Sequence, residues 1–210
     1  GIYNYRNKKL HTYIGSYLAE RTDIDTQAPW IGLIIGRSDL TKSQYLYIDV
    51  FIRNIEEKGF NVFPVFSSQK PGHHEEQVIE RFFISCDSLP RVSALLNLGC
   101  WYNTRPEQER VVLEKLGVPV INGIILSTNQ KDWEKSLVGI DIYNRSNLVA
   151  IPELAGYIEP SVAVVFDDFD HNIRIKNMIG YQMETLLGRI KNIHNLQTKP
   201  NREKKVALIY

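Results

Sequence analysis

From Trp30 onward, short apolar runs alternate with amphipathic stripes, and this alternation constrains the fold more than any other feature of the chain. Trp30-Ile31-Gly32-Leu33-Ile34-Ile35, Asn61-Val62-Phe63-Pro64-Val65-Phe66 and Ala94-Leu95-Leu96-Asn97-Leu98 are almost continuously apolar. Such runs suit strands buried on both faces of a parallel sheet. Between them, Ile48, Phe51, Ile52 and Ile55 recur at helical spacing, and Gly59 stands where that helix ends. Val78, Ile79, Phe82 and Phe83 predict a helix over 74–84, and Pro106 to Leu116 a third, with proline at its first position and Gly117 past its end. Val118-Pro119-Val120-Ile121 begins a fourth strand, Thr128 and Asn129 cap a short helix through Trp133, and another helix spans about 144–150, stopping before Pro152. Ser161 to Phe166 is a fifth strand. Residues 171–194 read as a long helix with Ile175, Met178, Ile179, Met183, Leu186, Leu187, Ile190 and Ile193 inward. Ahead of the series, Leu10, Tyr13, Ile14, Tyr17 and Leu18 predict a helix within 4–20.

Strands alternating with helices over short connections give right-handed βαβ units and a sheet covered on both sides. The fold class is therefore α/β: a doubly wound, mostly parallel sheet with helices on both faces, flavodoxin- or Rossmann-like. Residues 1–28 form an N-terminal helical segment, 29–200 the α/β domain, and 201–210 the first strand of a following domain. The run Val206-Ala207-Leu208-Ile209-Tyr210 has no turn after it, and the chain opens on Gly1. An unpaired apolar strand is an aggregation template, so the 210 residues read as a piece of a longer protein.

In such sheets ligands sit outside the carboxyl ends of the strands. The loops after Ile35, Phe66, Leu98 and Ile125 are thus the places to look. They carry Gly36-Arg37-Ser38-Asp39, Ser67 to His74, Gly99-Cys100-Trp101-Tyr102-Asn103 and Leu126-Ser127-Thr128: a polar and aromatic mouth without GxGxxG or GxxxxGK[ST], so no nucleotide is expected on this chain. A formal net charge of +1 with mixed signs excludes an electrostatic nucleic-acid footprint. No apolar run is long enough to span a bilayer. No signal-peptide pattern is visible, which gives a cytoplasmic expectation. Cys86 and Cys100 make neither a disulfide framework nor a metal-ligand spacing. His73 and His74, with Glu75 and Glu76, read as the polar first turn of a helix, and Asp167 to His171 as an acidic loop capping the long helix; no metal site is assigned to either.

Several ordered motifs resemble one family. They are Gly1-Ile2-Tyr3, the Ile31-Gly32-Leu33 strand ending in Arg37-Ser38, Glu57-Lys58-Gly59-Phe60-Asn61-Val62-Phe63-Pro64, Lys115-Leu116-Gly117-Val118-Pro119-Val120, and Asp132-Trp133 to Gly139-Ile140. The strongest is Ile151-Pro152-Glu153-Leu154-Ala155-Gly156-Tyr157-Ile158-Glu159-Pro160, and Arg202 to Ile209 closes the series. Together they resemble the large subunit of cobaltochelatase (CobN) and the H subunit of magnesium chelatase. The chain departs from that pattern at Asp39, often His in the magnesium branch, and at Ala155, usually Asp; Thr41-Lys42-Ser43-Gln44 replaces a glycine-containing turn.

The resemblance implies a segment of a tetrapyrrole-holding subunit of a metal chelatase. Its substrates would be a tetrapyrrole and a divalent metal (cobalt, magnesium or iron), and its partners AAA+ ATPase and integrin-like subunits that hydrolyse ATP. The alternatives are a CobN-like haem-uptake protein that removes iron from haem, and a non-catalytic α/β module binding a small ligand or a partner. Under the first reading, Glu153 and Glu159 are the candidate catalytic carboxylates, as proton acceptors or transient metal ligands, flanking a turn at Gly156 that would point both the same way. Arg37 and Ser38 would bind substrate, Arg37 by pairing with a carboxylate of the ring's side chains, and Trp101 and Tyr102 would stack on the macrocycle. The plainer alternatives are backbone capping and solvation for the two glutamates, a salt bridge to Asp39 for Arg37, and loop anchoring for the two aromatics.

Overall fold

The structure, a computed structural model, describes residues 1–41, 45–67, 75–99, 106–170, 173–205 and 207. Five parallel strands form its centre: β3 (Trp30–Gly36), β4 (Asn61–Ser67), β5 (Ala94–Asn97), β6 (Val120–Ile125) and β7 (Ile158–Asp170). They are flanked by β1 (Ile2–Asn4) and β2 (Lys9–His11) on one side and β8 (Ile173–Met178) on the other. The sheet order is β2-β1-β4-β3-β5-β6-β7-β8. Numbered by their own succession, the parallel strands run 2-1-3-4-5, the flavodoxin-like winding, so the doubly wound class read from the sequence is the one observed.

The apolar runs are buried because both faces are covered. On one face, α3 (Leu46–Glu57) and α9 (Gly180–Thr198) lay Phe51, Ile52, Ile55, Leu186 and Leu187 over Ile31, Leu33 and Ile35. On the other, α1 (Ile14–Glu20), α4 (Glu75–Phe83), α5 (Pro106–Leu116) and α8 (Ile151–Ala155) bring Tyr17, Ile79, Phe83, Leu113 and Ala155 against Ile34 and Leu95. Each buried Ile, Leu or Phe among them stabilises the fold by about 1.5–3 kcal/mol. Gly32 fits this close packing for a steric reason: a Cβ there would lie 2.6 Å from Leu95 Cδ1 and 2.7 Å from Phe83 Cε1.

Three stretches differ from the sequence reading. Residues 2–11 are a β-hairpin, not helix; α1 begins only at Ile14. The helical spacing there was carried by side chains that are exposed, Leu10, Tyr13 and Leu18, while Ile2 and Tyr3 are buried and β1 pairs antiparallel with β4. Second, residues 173–178 are strand β8, and the long helix starts at Gly180. Third, the helix expected to stop before Pro152 continues through it. After the four-residue α7 (Ile142–Arg145), Ser146–Ala150 is a π-helical turn in which the Ile151 amide bonds to the Ser146 carbonyl, and α8 follows directly. Proline has no N–H, so this segment forms one helical bond fewer, and the buried Leu148 carbonyl of the π turn takes a donor from another element. Asn122 of β6 supplies one: its Nδ2 donates to that carbonyl at 2.6 Å, in a buried setting. At the far end, Asn201–Glu203 is a 3₁₀ turn, and the strand expected near 204–210 falls largely outside the described residues.

Candidate functional site

The winding reverses between β3 and β5, so the crevice that a doubly wound sheet offers to a ligand lies between the chain leaving Gly36 and the chain leaving Asn97. β3 passes straight into α2 (Arg37–Thr41). Arg37 and Ser38 are exposed there, at the carboxyl edge of the sheet. Asp39 turns inward and is only 1 % exposed. One of its oxygens accepts the Tyr47 hydroxyl and the other pairs with the Lys176 ammonium, so its charge is compensated by β8. Burial, reinforced by the Asp39 charge and hydrogen bond, pushes the Tyr47 phenol well above its ordinary pKa, and Tyr47 stays a neutral donor. Lys176 also lies 5.7 Å from the Tyr47 ring centre and 5.6 Å from that of Phe166 on β7. The β7–β8 hairpin is thereby tied to α2, across residues 137 apart in sequence.

The other wall of the crevice is set by Asn97, which is fully buried. Its Oδ1 accepts the Gly99 amide at 2.7 Å, turning the chain out of β5, and its Nδ2 donates to the Tyr157 hydroxyl at 2.8 Å. Tyr157 in turn donates to the buried Glu109 carboxylate of α5. This row of polar groups in an apolar layer fixes the chain at Gly99; Trp101 and Tyr102, further along the sequence, lie outside the described residues, as do His73, His74 and His171. Asp167 to Asp170 belong to β7 and do not cap a helix. Among the described residues, no group of three or more His, Cys, Asp or Glu side chains is arranged to hold a metal ion. No helix among them is long and apolar enough to cross a membrane.

The two candidate glutamates are kept apart. Glu153 is exposed on α8, over the face that α5 covers. Glu159 is the second residue of β7 and pairs with Arg189 of α9, on the opposite face, at 2.5 Å. The turn between them is a helix-ending motif: Gly156 sits at φ 105°, its amide bonds to the Glu153 carbonyl and that of Tyr157 to the Pro152 carbonyl. Glu159 itself holds a left-handed φ of 53°, uncommon for a residue with a side chain. By register Ile158 aligns with Ile121 and so with Leu33, midway along β3, three strands away from it. The structure therefore places Arg37 and Ser38 at the carboxyl end of β3, where the winding reverses, and does not bring Glu153 and Glu159 together. The residues the sequence reading missed are Tyr47, Lys176, Asn97, Glu109 and Tyr157. The asparagine interrupting an apolar run and the tyrosine inside the Pro152–Pro160 block were the available signals.

A second concavity of about 220 Å³ opens at the carboxyl end of β6, lined by Leu126, Ser127, Thr128, Trp133, Ile140 and Asp141 among others. Asn129 caps the adjoining α6 (Gln130–Lys135) by accepting the Asp132 amide.

A family model described as CobN/Magnesium Chelatase matches residues 1–210. The chain belongs to that family. Among curated proteins, it is 28 % identical over 233 residues to an uncharacterised protein of Methanocaldococcus jannaschii, which covers 100 % of this chain and 18 % of the relative. It is 27 % identical to the magnesium-chelatase subunit ChlH, chloroplastic, of Oryza sativa, over 88 % of this chain and 13 % of that protein. It is 22 % identical to the aerobic cobaltochelatase subunit CobN of a Sinorhizobium species, over 87 % and 15 %. Among solved structures, the catalytic subunit of cobaltochelatase from Mycobacterium tuberculosis aligns with TM-score 0.66 at 16 % identity, over 88 % of this chain and 16 % of that one. The family's α/β fold is thus shared, and the chain spans 13–18 % of the length of these curated relatives.

Proposed function

We propose that this chain is the α/β segment of the large, tetrapyrrole-binding subunit of an ATP-dependent metal chelatase, and that its parent inserts cobalt or magnesium into a tetrapyrrole in the cytoplasm. The observation that carries the reading is the family match over residues 1–210, with relatives named as magnesium chelatase and cobaltochelatase subunits. ATP hydrolysis falls to AAA+ and integrin-like partner subunits, in keeping with the missing phosphate-binding motifs.

We place a flat, carboxylate-bearing ring at the crevice between β3 and β5, where a doubly wound sheet offers a ligand its site. Arg37 at its lip provides a planar cation for bidentate pairing with a carboxylate, and Ser38 an adjacent hydroxyl. Trp101 and Tyr102, which follow Asn97 by four and five residues in the sequence, are the aromatic side chains we propose to stack on the ring. Metal insertion removes two protons from the pyrrole nitrogens and delivers a cation from water to the ring, which requires a base at the macrocycle. Glu153 and Glu159 remain candidates for proton acceptance or transient metal binding only as separate groups. Both are exposed, and Glu159 must first leave Arg189 to act in this way.

The test combines the full-length protein with its ATPase and integrin-like partners, ATP, a divalent metal and a metal-free tetrapyrrole, and follows the absorbance change of metal insertion. ATP-dependent insertion of cobalt or magnesium is expected. Absence of metal transfer with any partner set that forms a complex overturns the reading.

A further inference from the structure

Beyond the crevice, the segment from Ser136 to Tyr143, between α6 and α7, presents an unusual surface. Leu137 is 104 % exposed and Ile142 84 %, with Val138 and Tyr143 also exposed, so four large apolar side chains within seven residues face solvent. Scattered apolar residues on a surface need no account, but a contiguous apolar group marks an interface.

The exposure is built into the fold, not a product of fraying. The Arg145 guanidinium folds back and donates to the Val138 carbonyl at 3.1 Å and the Ile140 carbonyl at 2.9 Å. The Ser136 amide bonds to the Trp133 carbonyl and the Gly139 amide to that of Ser136, with Gly139 at φ 67°. Asp141 caps α7 by accepting the Tyr143 and Asn144 amides. Ile140 points the other way, into the cluster formed by Ile124, Leu126 and Leu148, together with Trp133. The loop is thus pinned at several points with one apolar side chain inward and four outward.

Its chemistry narrows the occupant. Between Lys135 and Arg145 the only charged residue is Asp141, and its carboxylate is engaged with backbone amides that hold its pKa below the usual carboxylate range. Asp141 and the folded-back Arg145 bring one charge of each sign, so the loop offers no single-sign patch to a strongly acidic or basic partner. To an apolar surface it offers the four exposed side chains. The relatives carry this unit as 13–18 % of one long polypeptide, so another part of that same polypeptide is the surface supplied at high effective concentration.

We infer that Leu137, Val138, Ile142 and Tyr143 form a preorganised docking patch for an apolar surface of the same polypeptide, outside the 210 residues of this chain. The inference does not depend on the metal or ring that the parent handles.

The test uses the full-length protein and this chain side by side. Leu137→Cys and Ile142→Cys are labelled with a maleimide, and the modified peptides are quantified by mass spectrometry. Labelling in the full-length protein is expected to be at least tenfold slower than in this chain, independent of protein concentration. Equal rates overturn the inference, as does protection that disappears on dilution, which would assign the patch to a second copy. Hydrogen exchange of amides 136–143 in the unsubstituted proteins gives the same comparison without any variant: slower exchange in the full-length protein supports the patch, and unchanged exchange overturns it.

Discussion

Asn122 illustrates how one side chain permits an otherwise unfavourable backbone. Pro152 brings no N–H to a helical path, and the Asn122 carboxamide, from the neighbouring strand, donates to the Leu148 carbonyl of the π turn just before it. A buried carbonyl left unpaired costs about 1–3 kcal/mol. Asn122→Ala should therefore lower stability by about that amount in urea unfolding. Pro152→Ala restores an N–H able to reach Leu148, so the Asn122→Ala cost should shrink in the Pro152→Ala background. Equal costs in both backgrounds would sink this account of the turn. None of this was legible in the sequence. A proline after a helical stretch reads as a stop, and the compensating asparagine lies in another element, thirty residues earlier. By contrast, the helix from Pro106 to Leu116 was legible to the residue, because proline at its start and Gly117 after its end are local signals.

At the scale of elements, the β7–β8 hairpin shows where periodicity misleads. Ile173-Arg174-Ile175-Lys176-Asn177-Met178 alternates as a strand should, yet Ile175, Met178 and Ile179 also fit a helical face that runs on into α9. Pairing with β7 decides the matter, and pairing is not encoded locally. The hairpin matters to the site because Lys176 brings its charge to Asp39, next to Arg37 and Ser38. Both members of the pair are nearly buried, with side chains 9 % and 2 % exposed. Removing one partner of such a pair typically costs about 3–5 kcal/mol, whereas replacing both with neutral groups is far milder. Asp39→Ala is expected to destabilise the chain by about 3 kcal/mol and to speed hydrogen exchange in β8. Asp39→Asn combined with Lys176→Met should recover most of the loss. A single-variant cost below about 0.5 kcal/mol would show that the pair is no anchor. The Pro152–Pro160 block has a related lesson. Its glycine and tyrosine serve the local architecture, and Tyr157 reaches through Asn97 to the loop at the crevice, while its two glutamates face opposite sides of the sheet.

For the molecule as a whole, strand type and sequence were readable because buried parallel strands are apolar throughout. The order of the strands was not, since no residue pattern states that β3 lies between β4 and β5. That order locates the crevice, and with it the separation of Arg37 and Ser38 from Glu159, three strands away at about 4.8 Å per strand. The family match supports the chemistry we propose, and the winding supports the place we propose for it. The central claim is that the crevice at the β3–β5 reversal contributes to holding a tetrapyrrole. The most direct measurement is a titration of this chain with haem and with metal-free porphyrins, following the Soret band and tryptophan fluorescence, with folding checked by circular dichroism. The account predicts saturable binding that weakens at least tenfold in Arg37→Ala and is unchanged in Glu159→Ala. No binding by a folded chain, or binding indifferent to Arg37, would contradict it.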